Sequence, residues 1–206
     1  AGGREWEPFT GRRRGPAARG RGEDLHASVE LTLEEAYHGT TRRLQLETGQ
    51  RAQKSLQVKI PRGVTEGSRV RLAGMGNPGA GGAPGDLYLE VHLRPHRLFR
   101  VEGHDLICEL PIRDDEASLG AAVEAPTLDG RVSVKVPPGS QSGSRLRLKE
   151  KGLPHLHGAG RGDLYYQLKI VTPTALTEEE QRLIQQLRQA RERQGDRANP
   201  RRLMGV

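Results

Sequence analysis

The stretch VKIPRGVTEGSRVRLAGMG, from Val58 to Gly76, returns as VKVPPGSQSGSRLRLKEKG from Val134 to Gly152. The offset is 76 residues at Val58/Val134, 77 at the Asp of two GDLY segments (Asp86 and Asp163), and 81 between EAYHG at 35–39 and EASLG at 116–120. A drifting offset is what loop-length changes between matched strands produce. A period near 80 is too long for a stacked solenoid and fits two tandem domains of one design.

The pattern inside each copy is of period two. In the first copy, HASVELTL carries Ala27, Val29, Leu31 and Leu33 on one side, as a half-buried strand does. The alternation continues in TTRRLQL, SLQVKI, SRVRL and GDLYLEVHL. Thr32 and Glu35 have capping-box spacing and Gly39 is a stop signal, so a short helical turn is expected after the first strand. The second copy repeats this order through DLICELPI, a short turn at DEASLG, AAVEAPTL, RVSVKV, SRLRLKEKG and GDLYYQLKIV, with Asp129-Gly130 as a tight hairpin signal. Short strands with regular turns favour sandwiches. The expected fold is all-β: two tandem β-sandwich domains of repeated topology plus a C-terminal α-helix. The expected boundaries are a linker at 1–24, a first sandwich at 25–99, a second at 100–173, and a helix and tail at 174–206.

Composition sets the remaining limits. Aromatics are 3% of the chain, so Val, Leu and Ile must build the cores, and two modest cores suit this better than one deep one. Residues 1–24 hold isolated Trp6 and Phe9 among Gly, Arg and Pro, too little to bury. They read as a solvated tail or as an arm that reaches a partner. The single cysteine, Cys108, permits no disulfide framework and no CxxC metal pair. No apolar run approaches the ~18 residues of a membrane span, and the expected setting is cytoplasmic, without membrane contact. The net charge of +7 invites phosphate binding, but it is spread thinly over the tail, the repeats and the C-terminal segment.

Candidate chemistry is sparse. GMGNPGAGGAPGD has no GK[ST] and leads into a strand, so a flexible hairpin loop is expected and not a phosphate cradle. His155 and His157 lack further metal ligands nearby. Asp86 and Asp163 are repeat equivalents, expected to shape a turn. Nothing supports catalysis, so the chain is expected not to be an enzyme and to need no cofactor or metal. The segment TALTEEEQRLIQQLRQARERQ reads as a helix capped by Thr177 and Glu180, with Leu183, Ile184, Leu187 and Ala190 in one narrow stripe. That stripe either packs on the adjacent sandwich or holds a second copy of the chain.

In this order, LTLEEAYHGTTRRLQL, VKIPRGVTEGSRVRLAGMG, GDLYLEVHLRPHRLFRVEGHDLICELPI, ASLGAAVEAPTLDGRVSVKVPPG and GRGDLYYQLKIVTP resemble the carboxy-terminal region of DnaJ-type co-chaperones over roughly residues 24–190. The family's His-Pro-Asp J-domain and its cysteine-rich zinc region are absent from this sequence, which resembles the zinc-free subclass that includes curved-DNA-binding members. The chain is expected to be a fragment, with residues 1–24 as the remnant of a linker, and not to stimulate the DnaK ATPase normally.

The resemblance implies a co-chaperone that binds unfolded polypeptide clients, delivers them to a DnaK-type ATP-dependent chaperone and works as a homodimeric clamp. By position it implies a client-binding groove at Ala27, Val29, Leu44, Leu46 and Leu89. It implies binding of the partner chaperone's acidic tail at Arg42 and Arg43, and dimerisation through Leu183, Ile184 and Leu187. From the residues alone, the groove positions read equally as sandwich core and the two arginines as a solvated strand edge. The alternative function is a nucleoid-associated DNA-binding protein of the curved-DNA-binding type, making weak non-specific contacts to DNA.

Overall fold

Six elements run in the same order twice. In the computed structural model, which describes residues 20–48, 52–79, 82–156 and 158–194, the first set is β1 (Leu25–Leu31), α1 (Leu33–His38), β2 (Thr40–Thr48), β3 (Ala52–Ile60), β4 (Arg69–Leu72) and β5 (Leu87–Leu93). After β6 (Phe99–Glu102) the set returns as β7 (Asp105–Arg113), α2 (Asp114–Leu119), β8 (Ala121–Thr127), β9 (Gly130–Val136), β10 (Arg145–Leu148) and β11 (Leu164–Val171), and α3 (Glu178–Arg193) follows. The fold is all-β with a C-terminal helix, as the alternation predicts. Two details differ from the sequence reading. The short turn expected at DEASLG is a six-residue helix, Asp114–Leu119, and β6 is a strand that the alternation did not register.

Packing divides the chain into two compact units. The first takes in the chain through Cys108 together with Thr127–Gly130 and Arg147–Tyr166; the second holds Glu109–Pro126, Arg131–Leu146 and the chain from Gln167. In the first unit β1 pairs in parallel with β5, which pairs antiparallel with β4, while β2 and β3 form a separate antiparallel ribbon. Alternation sends Leu31, Leu87, Leu89 and Val91 from one sheet and Val58 and Ile60 from the ribbon into one core. The opposite face of β1, β4 and β5 carries His26, Glu30, Arg69, Arg71 and Glu90. The second unit buries Leu110, Ile112, Ala117, Ala125, Val134, Val136 and Leu168.

The shared sequence of the copies has a common hydrogen-bond basis. Asp86 accepts from the Gly74 amide at 2.9 Å and from Arg71 Nε at 2.8 Å, and its own amide donates to Asp24 Oδ1 at 2.7 Å. Asp163 accepts from the Glu150 amide at 2.9 Å and from Arg147 Nε at 2.6 Å, and its amide donates to Asp105 Oδ1 at 2.7 Å. Each aspartate therefore ties the turn after the fourth strand of its copy to the start of the first strand. The backbone amide bond lowers both carboxyls below the ordinary aspartate range, and the arginine adds to it. The expected turn role of these aspartates is what they perform.

Parts of the Gly-rich loops, expected as flexible hairpins, are held by backbone contacts among the described residues. The Gly22 amide donates to the Ala83 carbonyl at 2.9 Å and the Asn77 amide to the Glu23 carbonyl at 3.0 Å. A Cβ on Gly85 would fall against the Glu23 carbonyl, and one on Gly162 against the His104 carbonyl. Residues 20–24, within the segment expected as linker, are thus held against the first unit; residues 1–19 lie outside the described residues.

The two turns differ at one position. Gly74 has φ 70°, and its counterpart Glu150 has φ 56°, the one non-glycine residue with positive φ among those described. A side chain there costs about 1 kcal/mol that glycine avoids. Glu150→Gly is therefore expected to raise the chemical-denaturation midpoint slightly, by an amount equivalent to about 0.5 kcal/mol or less after the entropy of the unfolded glycine is included. A lowered midpoint would contradict this reading of the turn.

Candidate functional site

The candidate groove residues separate by depth. Leu89 is 0% exposed and Val29 7%, both within the core cluster. Strand β5 turns Leu87, Leu89 and Val91 inward together, so Leu89 supports the surface from below and offers none of its own. For these two residues the groove expectation gives way to the sandwich-core reading. Ala27 and Leu44 are half-buried and pack against that core from opposite sheets. Leu46 lies in β2 opposite Lys54, and its side chain is outside the described residues. Leu56, Val70 and Leu72 are also half-buried at the core margin. Their inward side was legible in the sequence, but alternation distinguishes faces and not depths.

Strand β2 pairs with β3 from Thr40↔Ile60 to Thr48↔Ala52, and among the described residues no other strand joins it. Its second edge therefore presents backbone donors and acceptors for an added strand, beside half-buried Leu44. Thr32 and Glu35 make the expected capping box of α1. Arg42 reaches back from β2 to that same Glu35, with Nη2 at 2.7 and 2.8 Å from its two oxygens, and this hydrogen bond is the main cause lowering the Glu35 carboxyl. Arg42 Nε is buried without a hydrogen-bond partner. Arg42 is thus already committed to an internal carboxylate, whereas Arg43 is exposed.

A second arrangement was not legible in the sequence. The buried Tyr37 of α1 donates its hydroxyl to Asp129 Oδ2 at 2.8 Å and accepts a hydrogen bond from Arg161 Nη1. The Arg161 guanidinium lies over the Tyr37 ring at 4.8 Å, and Lys151 Nζ is 3.3 Å from Asp129. Burial is the largest cause raising the Tyr37 hydroxyl above the ordinary tyrosine value, and its bond to Asp129 adds to it. Beside this network Arg62, Lys149, Lys151 and Arg161 line one polar cavity of about 610 Å³, which Asp129 and Glu150 also line.

Helix α3 has the expected cap at Thr177–Glu180 and no buried residue. Leu183, Ile184 and Leu187 are 51%, 47% and 44% exposed. Among the described residues, therefore, nothing buries this stripe against a sandwich.

A family model described as the DnaJ C terminal domain matches residues 25–173. A Coxiella burnetii protein named curved DNA-binding protein is 50% identical over 177 residues, covering 81% of this chain and 56% of the relative. A Pseudomonas putida protein of the same name is 46% identical over 182 residues, covering 83% and 57%. A Geobacillus protein named chaperone protein DnaJ is 45% identical over 137 residues, covering 66% and 36%. The chain spans a little over half the length of the first two relatives.

Proposed function

The chain belongs to the DnaJ C-terminal domain family, and from that premise we propose that it binds unfolded polypeptide and hands it to a DnaK-type ATP-dependent chaperone. The observation that carries this reading is the open edge of β2 beside the half-buried apolar Leu44. An unfolded segment brings unpaired backbone and exposed apolar side chains. The edge satisfies the first by strand addition and Leu44 covers the second. Arg43, exposed on β2, is the cation offered to an acidic partner tail. The repeat-defined modules, 25–99 and 100–173, form the arms, and the exposed stripe of α3 joins two chains into a clamp. The activity is binding without catalysis, in the cytoplasm; among the described residues no helix is long and apolar enough to cross a membrane.

The test is binding of a fluorescent, permanently unfolded polypeptide at physiological salt. Leu44→Asp is expected to weaken it about tenfold or more with the circular-dichroism spectrum unchanged, and the milder Leu44→Ala to weaken it less. Equal affinity in both folded variants would move the site away from β2.

A second reading is duplex DNA binding. Its support is the convergence of four basic side chains on one cavity, in a chain whose 50%-identical relative bears the name curved DNA-binding protein.

A further inference from the structure

We propose that the cavity lined by Arg62, Lys149, Lys151 and Arg161 seats backbone phosphates of duplex DNA. This rests on the second reading above and assigns it a place. Three chain segments converge there: Arg62 from the β3–β4 connection, Lys149 and Lys151 from the turn after β10, and Arg161 from the loop before β11. Two of the four cations are fixed in advance. Arg161 is stacked on the buried Tyr37 ring and bonded to its hydroxyl, and Lys151 is held by Asp129. Holding a side chain before the ligand arrives lowers the ordering cost of binding. The other two are exposed and form no ion pair among the described residues; the one carboxylate whose field Lys149 joins, Asp163, is bonded directly by Arg147.

The two acidic side chains in the lining do not cancel this field. Asp129 is engaged by the Tyr37 hydroxyl and by Lys151, with Arg161 at 3.9 Å, so its charge is met locally. Glu150 is exposed to solvent, where screening is strong. The apolar part of the lining is confined to small groups such as Pro154 and Ala159, which suits a hydrated anion and not an apolar side chain. Among the described residues no Asn or Gln lines the cavity to pair with a base edge, so contact to the backbone is tolerant of sequence. Cations drawn from three segments match a row of phosphates better than the single terminal charge of a peptide.

The test uses the full chain and a fluorescent 20-base-pair duplex, titrated from about 50 to 200 mM salt. Arg62→Gln/Lys149→Gln is compared with Arg97→Gln/Arg191→Gln, which removes the same charge at two exposed positions outside the cavity. The parent is expected to bind with a steep salt dependence. The cavity variant is expected to bind about tenfold or more weakly at the lowest salt, with a log–log salt slope shallower by about 2, and the control to stay near the parent. If the parent binds no duplex at any salt, the DNA reading itself falls. If the parent binds and the two double variants behave alike, DNA binding stands and the cavity is not its site. If duplex affinity is untouched while poly-glutamate binding is lost in the cavity variant alone, the cavity serves an acidic peptide and the proposal is overturned.

Discussion

Asp86→Asn/Asp163→Asn is expected to melt well below the parent chain at pH 7, with a gap that closes as the pH falls below about 4. Each carboxylate accepts a backbone amide and an arginine that an Asn side chain satisfies poorly. Both folded-state pKa values are depressed by those bonds. A depressed carboxyl contributes stability above its unfolded pKa, near 3.9, and loses it as pH falls through the lower folded value. The parent therefore gives up in acid the advantage that the variant lacks throughout. Urea midpoints between pH 7 and pH 2.5 read this directly. A gap that persists unchanged at the acid end would assign the loss to altered turn packing and not to the charge.

Leu183→Asp/Leu187→Asp is expected to halve the mass observed in solution, from two chains to one. The stripe is left uncovered by the described residues, and placing carboxylates at its centre removes the area a second helix would cover. Loss of the clamp removes avidity. A long unfolded polypeptide that spans both arms should bind about 100-fold more weakly, while a short single-site peptide binds as before. Sedimentation gives the mass, and the two ligands separate assembly from client binding. A parent chain that sediments as a single copy across the micromolar range would remove the basis for the clamp.

The internal repeat carried most of the fold into view before any coordinates. The strands of both copies, the caps at Thr32 and Thr177 and the terminal helix all follow from period, spacing and stop signals. Strand β6 escaped because the four residues Phe99–Glu102 are too few for alternation to register. The tight glycine loops escaped because contact between two backbones leaves no hydrophobic pattern. The site was legible only in part. Alternation grouped Leu44 with Leu46 and Ala27 with Val29 without saying which face is outside, and the depths of Leu44 and Leu89 depend on how the sheet and ribbon meet. Arg42 looked like a surface cation on a strand, and only folding brings Glu35 to it. The Tyr37, Asp129 and Arg161 network joins residues 92 and 124 positions apart, beyond the reach of any local pattern.

Amide hydrogen exchange reads out whether unfolded polypeptide joins the edge of β2. Exchange is followed with and without a saturating, permanently unfolded polypeptide that carries no fixed structure of its own. The account predicts slowed exchange in β2, residues 40–48, with little change in α3 on adding polypeptide to the already assembled chain. Protection confined to other strands, or none anywhere at saturation, would contradict it.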